Sequence, residues 1–294
     1  MKLYNNYSSY LKERYGSRVY RIGLDAGFSC PKACIYCNVN GSRSSYTDPK
    51  ESIGKQLSGR IEYLKKTKSA AKFIAYFQAF TNTNSPVEQL KEAYDNILPF
   101  EEIVGLSIGT RPDCIDMDKL KLIASYKDRY EVWMEYGLQS IHDRTLKAIN
   151  RGHSFNDFLK AYNETRKFSI PVCVHVIIGL PGETGEDMVK TALKLSELKV
   201  DGVKIHLLHI LKGSELEKLH SGGLVKVLEQ EEYVNLVCNF LENLSEKIIV
   251  QRMTGQGNRE EHIAPNWAMD KIGTIQRIED TLRKRNSHQG IYCS

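Results

Sequence analysis

The sequence predicts an α/β protein whose parallel strands line a polar cavity, and three observations carry that prediction. Six short apolar runs alternate with amphipathic stretches along the 294 residues, the pattern of successive βαβ units. Within each run one set of alternate residues is apolar and the other is polar or glycine. Three of the seven cysteines, Cys30, Cys34 and Cys37, fall within eight positions directly after the first run.

In chain order, the tyrosines at 4, 7, 10 and 15 have the spacing of a short N-terminal helix that uses them for packing. Strands are expected at 19–25, 72–78, 103–109, 131–139, 172–179 and 202–208, with helices near 48–67, 86–97, 116–127, 143–168 and 184–198. GLPGET at 179–184 lacks the Lys-Ser/Thr of a phosphate loop and reads as a strand-to-helix turn, with Thr184 as N-cap and Asp187 three residues on. A seventh apolar run at 247–253 offers a further strand. A closing helix follows, with Pro265 near its start and a solvated basic end at Arg283–Arg285.

The alternation constrains the architecture further. Ile22, Leu24, Leu106, Ile108, Val132, Met134, Val174, Val176, Val203 and Ile205 form a face suited to packing against helices. The opposite parity holds Arg21, Gly23, Asp25, Tyr76, Gln78, Ser107, Glu135, Gln139, His175, Lys204 and His206. A doubly wound sheet, or the filled interior of an eight-stranded barrel, would bury aliphatics on both faces. A polar inner face instead suits a wet cavity that holds a polar ligand.

Bulk composition narrows the function classes. The hydrophobic fraction of 41% and charged fraction of 26% are those of a globular protein. No apolar run reaches the roughly 18 residues of a membrane span. The N-terminus has no apolar core of a signal peptide, so a cytosolic location is expected, where clustered cysteines serve metals or redox chemistry more often than disulfides. A net charge of +5 accommodates an anionic partner such as RNA without requiring one.

The cluster GFSCPKACIYCN has the spacing Cys-x3-Cys-x2-Cys on a predicted loop. Three thiolates so close suit three corners of an iron–sulfur cube, leaving one iron without a protein ligand. A zinc knuckle completed by a distant His142, His153 or Cys114, or an incidental trio of small hydrophobes, are the alternatives. Cys114, Cys173, Cys238 and Cys293 read as residues without a chemical role.

With Tyr36 before the last cysteine, this triplet resembles the signature of radical S-adenosylmethionine (radical SAM) enzymes. GTRPD at 109–113, EYGLQS at 135–140, LKAINRGH at 146–153 and GLPGET extend the likeness in the order seen in that superfamily. YLKERYG near the N-terminus, YFQAFTNT at 76–83, KIHLLHILKGSEL at 204–216 and LRKRNSHQG resemble its YhcC-like bacterial branch, related to the radical domain of the Elongator catalytic subunit. The resemblance spans nearly the whole chain. It implies a partial (β/α)6 TIM-like barrel over residues 19–225, with an N-terminal helical extension at 1–18 and a C-terminal strand and helix extension at 226–294.

The same resemblance implies a [4Fe-4S] cluster on Cys30, Cys34 and Cys37, whose open iron is chelated by S-adenosylmethionine. A 5'-deoxyadenosyl radical then takes a hydrogen from a substrate in the barrel. By position, Gln139 resembles the residue that holds the ribose hydroxyls, and Arg151 the one that pairs with the methionine carboxylate, a role suited to a planar guanidinium. Gln78 stands where relatives place a segment meeting the amino group, His175 where some carry a ribose-binding acid, and Tyr36 beside the cluster. Arg111, Glu135, His206 and His209 are the substrate-side candidates, expected near the strand ends. The implied partners are tRNA, whose wobble uridine would be trimmed from carboxymethylaminomethyl to aminomethyl, and a reductase such as flavodoxin or ferredoxin. A radical enzyme of a small molecule and a non-catalytic metal-binding tRNA accessory protein are the other readings.

Overall fold

The computed structural model describes residues 2–38, 43–44, 46–255 and 259–293. Helix α1 (Tyr7–Tyr15) precedes β1 (Val19–Leu24), and the cysteine segment follows β1 as an irregular loop that leads to α2 (Ile53–Lys68). Next come β2 (Lys72–Phe77), α3 (Val87–Asp95), β3 (Ile103–Thr110), α4 (Met117–Ala124) and β4 (Glu131–Gln139). Helices α5 (Asp143–Ala148) and α6 (Phe155–Lys167) separate β4 from β5 (Val172–Ile178), and α7 (Gly185–Leu198) leads to β6 (Gly202–Leu207). The remainder holds β7 (Ile210–Leu211), α8 (Glu215–Ser221), α9 (Gln230–Glu242), β8 (Ile249–Arg252), β9 (His262–Ala264) and α10 (Lys271–Lys284).

Strands β1 to β6 and then β8 form one parallel sheet in that spatial order. The six-unit partial barrel is therefore present, and the run at 247–253 adds its seventh strand. Curvature is visible in the side chains: Glu135 on β4 meets both Arg21 on β1 and Lys204 on β6. Arg21 also reaches across the open side to Gln251 on β8, at 2.7 Å. The N-terminal segment closes the same gap from below, where Val250 donates its N–H to the Asn5 carbonyl at 2.7 Å.

The outer face packs as the alternation requires. Ile22, Leu24, Leu106, Ile108, Met134, Val174 and Ile205 are buried against Leu57 and Leu64 of α2, Phe158 of α6, Leu195 of α7 and their neighbours. The inner face is not polar throughout. Its base is an apolar layer of Val19, Ile74, Trp133, Cys173 and Ile249, capped by Tyr7 and Leu11 of α1. Tyr7 and Tyr10 meet the Trp133 ring edge-on at 6.1 and 6.3 Å, and Glu131 accepts hydrogen bonds from Tyr10, Tyr15 and the Trp133 indole. Strand alternation identifies an inward residue but not its height in the barrel, and at the lowest level α1 excludes water. Cys173 and Cys238 are buried, as expected of residues used for packing.

The stretch expected as one helix at 143–168 is broken between α5 and α6. Asn150 and Gly152 take left-handed φ values of 51° and 82°, which ends α5 and turns Arg151 inward. Ser154 then restarts the chain as α6 with a capping box closed by Asp157. The Thr184–Asp187 pair forms the same motif at α7. Helices α8 and α9 and the antiparallel pair β7–β9 were not legible as separate elements.

Candidate functional site

The cysteine loop leaves β1 at the C-terminal edge of the sheet, the end at which open α/β sheets present their ligand crevices. Its last two ligands lie on a turn in which Cys37 N–H donates to the Cys34 carbonyl at 3.0 Å. Cys30 Sγ is 3.0 Å from Thr81 Oγ1, just after β2. Arg151 donates to Cys34 Sγ at 3.4 Å and, through Nε and Nη2, to the Gly137 carbonyl at 3.1 and 2.6 Å. A Cβ at residue 137, at this bulged end of β4, would stand 2.7 Å from Arg151 Nη2, so a side chain here would displace the guanidinium. The hydrogen bond from Cys37 and then the Arg151 charge push the Cys34 thiol down to about 5, against the effect of burial. Cys37 is held well above the usual thiol range, first of all by the same bond. Tyr36 packs beside Ile35, Leu146 and Ile149 with its hydroxyl bonded toward Cys34.

The donor set fits an iron–sulfur cluster better than a single ion. Tetrahedral zinc needs its sulfur ligands within about 4 Å of one another. The one His/Cys/Asp/Glu group with ligand atoms within 4.8 Å among the described residues is instead Glu135, Cys173 and His175. The candidates for a fourth ligand have other hydrogen-bond partners. His142 meets the Asp187 carbonyl at 3.0 Å, His153 the Gly137 carbonyl at 3.2 Å, and Cys114 lies against Asp113.

Between the cysteine loop and the strand ends lies a second layer. Gly23 on β1 leaves space for Ser44 and Gln78, whose amide donates to Ser44 Oγ; a Cβ there would stand 2.4 Å from that oxygen. Tyr46 Oη accepts from the Gly23 N–H at 2.8 Å, and Arg43 pairs with buried Asp25. Gln139 ends β4 at φ 77°, a left-handed conformation that a non-glycine residue holds at a cost of order 1–3 kcal/mol and that is concentrated at functional positions. It brings the Gln139 amide beside Gly137 and Arg151.

Deeper in the barrel is a charged hub. Glu135, wholly buried, accepts from Arg21, Lys204 and His175 Nε2, the last at 2.9 Å. Arg21 and Lys204 both lie over the Tyr76 ring, 4.0 and 4.1 Å from its centroid. Burial opposes the charge on Glu135, but Arg21 and Lys204 hold its carboxyl well below the usual range. Burial, then the Arg21 charge, pushes Lys204 down to about 7. Burial pushes His175 down to about 4, so it is neutral at physiological pH. Glu135 was expected near the strand ends, but it sits mid-strand, opposite Gly109 and Cys173 in register.

His206 ends the inner face of β6, its ring centroid 5.2 Å from that of His175, and His209 stacks edge-on against His262 at 5.2 Å. Arg111 is buried in a two-point pair with Asp113, at 2.9 and 2.8 Å, beneath the Gly152 turn and Lys32 of the cysteine loop. The structure thus gathers Tyr36, Arg151 and Gln139 near the thiols, and His175, Glu135 and His206 in the barrel, with Arg111 beside the Gly152 turn and Lys32. Sequence reasoning named Arg21 and Lys204 only as inward-facing residues; like charges on β1 and β6 opposite a lone inward Glu were the available signal.

The radical SAM superfamily model matches residues 26–195, and the Radical_SAM C-terminal domain model matches residues 200–284. YtqA of Bacillus subtilis is 39% identical, over 99% of this chain and 93% of its own length. YhcC of Escherichia coli is 36% identical, over 96% and 93%. A tRNA uridine(34) acetyltransferase of Methanocaldococcus infernus is 30% identical over 46% of this chain and 25% of its own length. Among solved structures, the archaeal Methanocaldococcus infernus Elp3 with an N-terminal deletion has a TM-score of 0.69 at 19% identity, over 92% of this chain and 64% of that one. At that identity the likeness is one of fold. No helix among the described residues is long and apolar enough to cross a membrane.

Proposed function

Since the chain belongs to the radical SAM superfamily, we propose that its substrate is a modified wobble uridine of tRNA, trimmed from carboxymethylaminomethyl to aminomethyl. The protein is an enzyme, and its cofactors are a [4Fe-4S] cluster and S-adenosylmethionine. Bound together, they supply one-electron cleavage of S-adenosylmethionine and abstraction of a hydrogen atom from the substrate. The barrel over 19–225 carries this chemistry, with the terminal segments 1–18 and 226–294 as its extensions.

In this reading Cys30, Cys34 and Cys37 hold the cluster, and Arg151 balances thiolate charge at Cys34 while presenting its fork to the methionine carboxylate. Tyr36 shields the cluster from water. Gln139, Gln78 and His175 orient the nucleoside and amino groups of S-adenosylmethionine. On the substrate side, His206 and His209 line the barrel, Glu135 fixes the positions of Arg21, Lys204 and His175, and Arg111 braces the cysteine loop from beneath. A flavodoxin or ferredoxin delivers the electron, and the cytosol is the compartment that suits exposed Cys37 and such a partner.

The observation that carries the catalytic reading is the thiol triplet with Arg151 against it, while His142, His153 and Cys114 are hydrogen-bonded to other groups. The tRNA reading is supported by the partial likeness to the tRNA uridine(34) acetyltransferase and by a barrel interior furnished for a polar substrate. Two measurements test them separately. Anaerobic reconstitution followed by dithionite and S-adenosylmethionine should yield 5'-deoxyadenosine, and its absence refutes the catalytic reading. Nucleoside mass spectrometry of tRNA from a strain lacking the protein should show the less processed wobble uridine, and an unchanged profile removes tRNA as substrate.

A further inference from the structure

On the β6–β8 side of the barrel the positive charges outnumber the acids available to pair with them. Glu135 already engages Arg21, Lys204 and His175. Arg252 lies opposite Lys204 in register, at a bulge that lets β8 present Gln251 to Arg21 and the next residue toward the same interior. Its guanidinium is half-buried and has no hydrogen bond or ion pair among the described residues. Its charge is felt by His175, Lys204, His206 and His209, and by half-buried Lys271 at the start of α10, which also lacks an ionic partner there. Beside them stands a buried ring nitrogen without a partner, His206 Nε2. Gly255 completes the wall: a Cβ there would lie 3.5 Å from His206 Nδ1 and 3.8 Å from His209 Nε2.

Such an arrangement is costly when empty. Partly desolvated cations without a counter-ion, and buried donors without acceptors, each disfavour the folded state. One anion would satisfy all of them, and a carboxylate or phosphate matches the planar fork of an arginine.

We propose that Arg252, with Lys271 and His206, forms an anion-accepting subsite in the barrel that takes a carboxylate or phosphate group of the substrate. As an assignment of substrate charge it rests on the wobble-uridine reading, in which the carboxylate leaves as part of the trimmed group. The subsite is built on β6, β8 and α10 rather than on the loop after β1 that carries the cysteines, which leaves the cofactor to that loop.

The test is calorimetric binding to the full chain, reconstituted anaerobically, with three probes: 5-carboxymethylaminomethyluridine, inorganic phosphate and uridine. The carboxylate nucleoside should bind at least about tenfold more tightly than uridine, since one charge-assisted hydrogen bond suffices for that factor. Arg252→Gln should abolish the difference, Lys271→Gln should reduce it, and Arg252→Lys, which keeps the charge without the fork, should retain part of it. Lys121→Gln, on exposed α4, should change nothing. Binding of phosphate but not of the carboxylate nucleoside would uphold the anion subsite while refuting the wobble-uridine substrate. If neither anion outbinds uridine, or if Lys271→Gln and a folded Arg252 variant bind anions as the parent does, the subsite does not exist.

Discussion

Replacing Glu135 by Gln tests the charged hub directly. The amide keeps the shape of the carboxylate but leaves two cations, half-buried Arg21 and buried Lys204, without a counter-charge. Breaking a buried ion pair from one side costs about 3–5 kcal/mol. Arg21 cannot shed its proton, so its share of roughly 3 kcal/mol should persist at every pH. Lys204 can. Its folded value, about 7, lies below its unfolded value, so the native protein gains stability as pH rises through and above 7. In the variant that folded value falls further, and the protein must fold with neutral Lys204 even at pH 6. The parent at pH 6 is about ten parts in eleven protonated at this site, a preference of about 1.4 kcal/mol that the variant forfeits. Glu135→Gln should therefore cost about 3 kcal/mol at pH 9 and about 4–5 kcal/mol at pH 6, with His175 neutral throughout. Urea unfolding of the reconstituted protein at both pH values measures this, and Lys204→Met in the same background should recover stability at pH 6. A loss within 1 kcal/mol of zero at pH 6, or one that is larger at pH 9, would refute the hub as described. Glu135 touches none of the three cysteines, so iron content per folded chain should be retained in Glu135→Ala while turnover falls.

Three other changes probe the rest of the site. Arg151→Met should raise the Cys34 thiol above about 5, read as the pH dependence of its alkylation in metal-free protein, with slower cluster loading; an unchanged profile would leave the hydrogen bonds from Cys37 and Tyr36 as the cause. Gly152→Ala must hold φ 82° and place its Cβ 2.6 Å from Lys32 Cδ, so it should cost about 1–2 kcal/mol in thermal or urea unfolding and disturb the cysteine loop. Trp133→Ala empties the apolar base under α1 and should cost about 3–5 kcal/mol, measured as a lowered denaturation midpoint, while the spectrum of the reconstituted cluster is unaltered.

Where the residues alone were sufficient, the governing interaction was local or periodic. The βα alternation, the helix-facing aliphatics of Ile22, Leu106 and Ile205, the Thr184 cap and the close spacing of Cys30, Cys34 and Cys37 all follow from short-range pattern. The break at Asn150–Gly152 was legible only as an Asn-Arg-Gly string, because a helical pattern on both sides masked the two left-handed residues between α5 and α6. The parity of β1, β4, β5 and β6 marked Arg21, Glu135, His175 and Lys204 as inward-facing. It did not show that they converge, since that depends on how sharply the sheet curls.

Tertiary structure alone decided the height of each inward residue and the identity of its neighbours. Alternation has a period of two and no memory of depth, so Trp133 and Glu135 look equivalent along β4 although one lies in a dry base closed by α1 and the other in a charged hub. For the same reason the unpaired charge of Arg252 emerges only once β8 is placed beside β6, 48 residues further along the chain than its register partner Lys204 (252 − 204). Contacts between residues that far apart depend on chain closure, which no local pattern encodes.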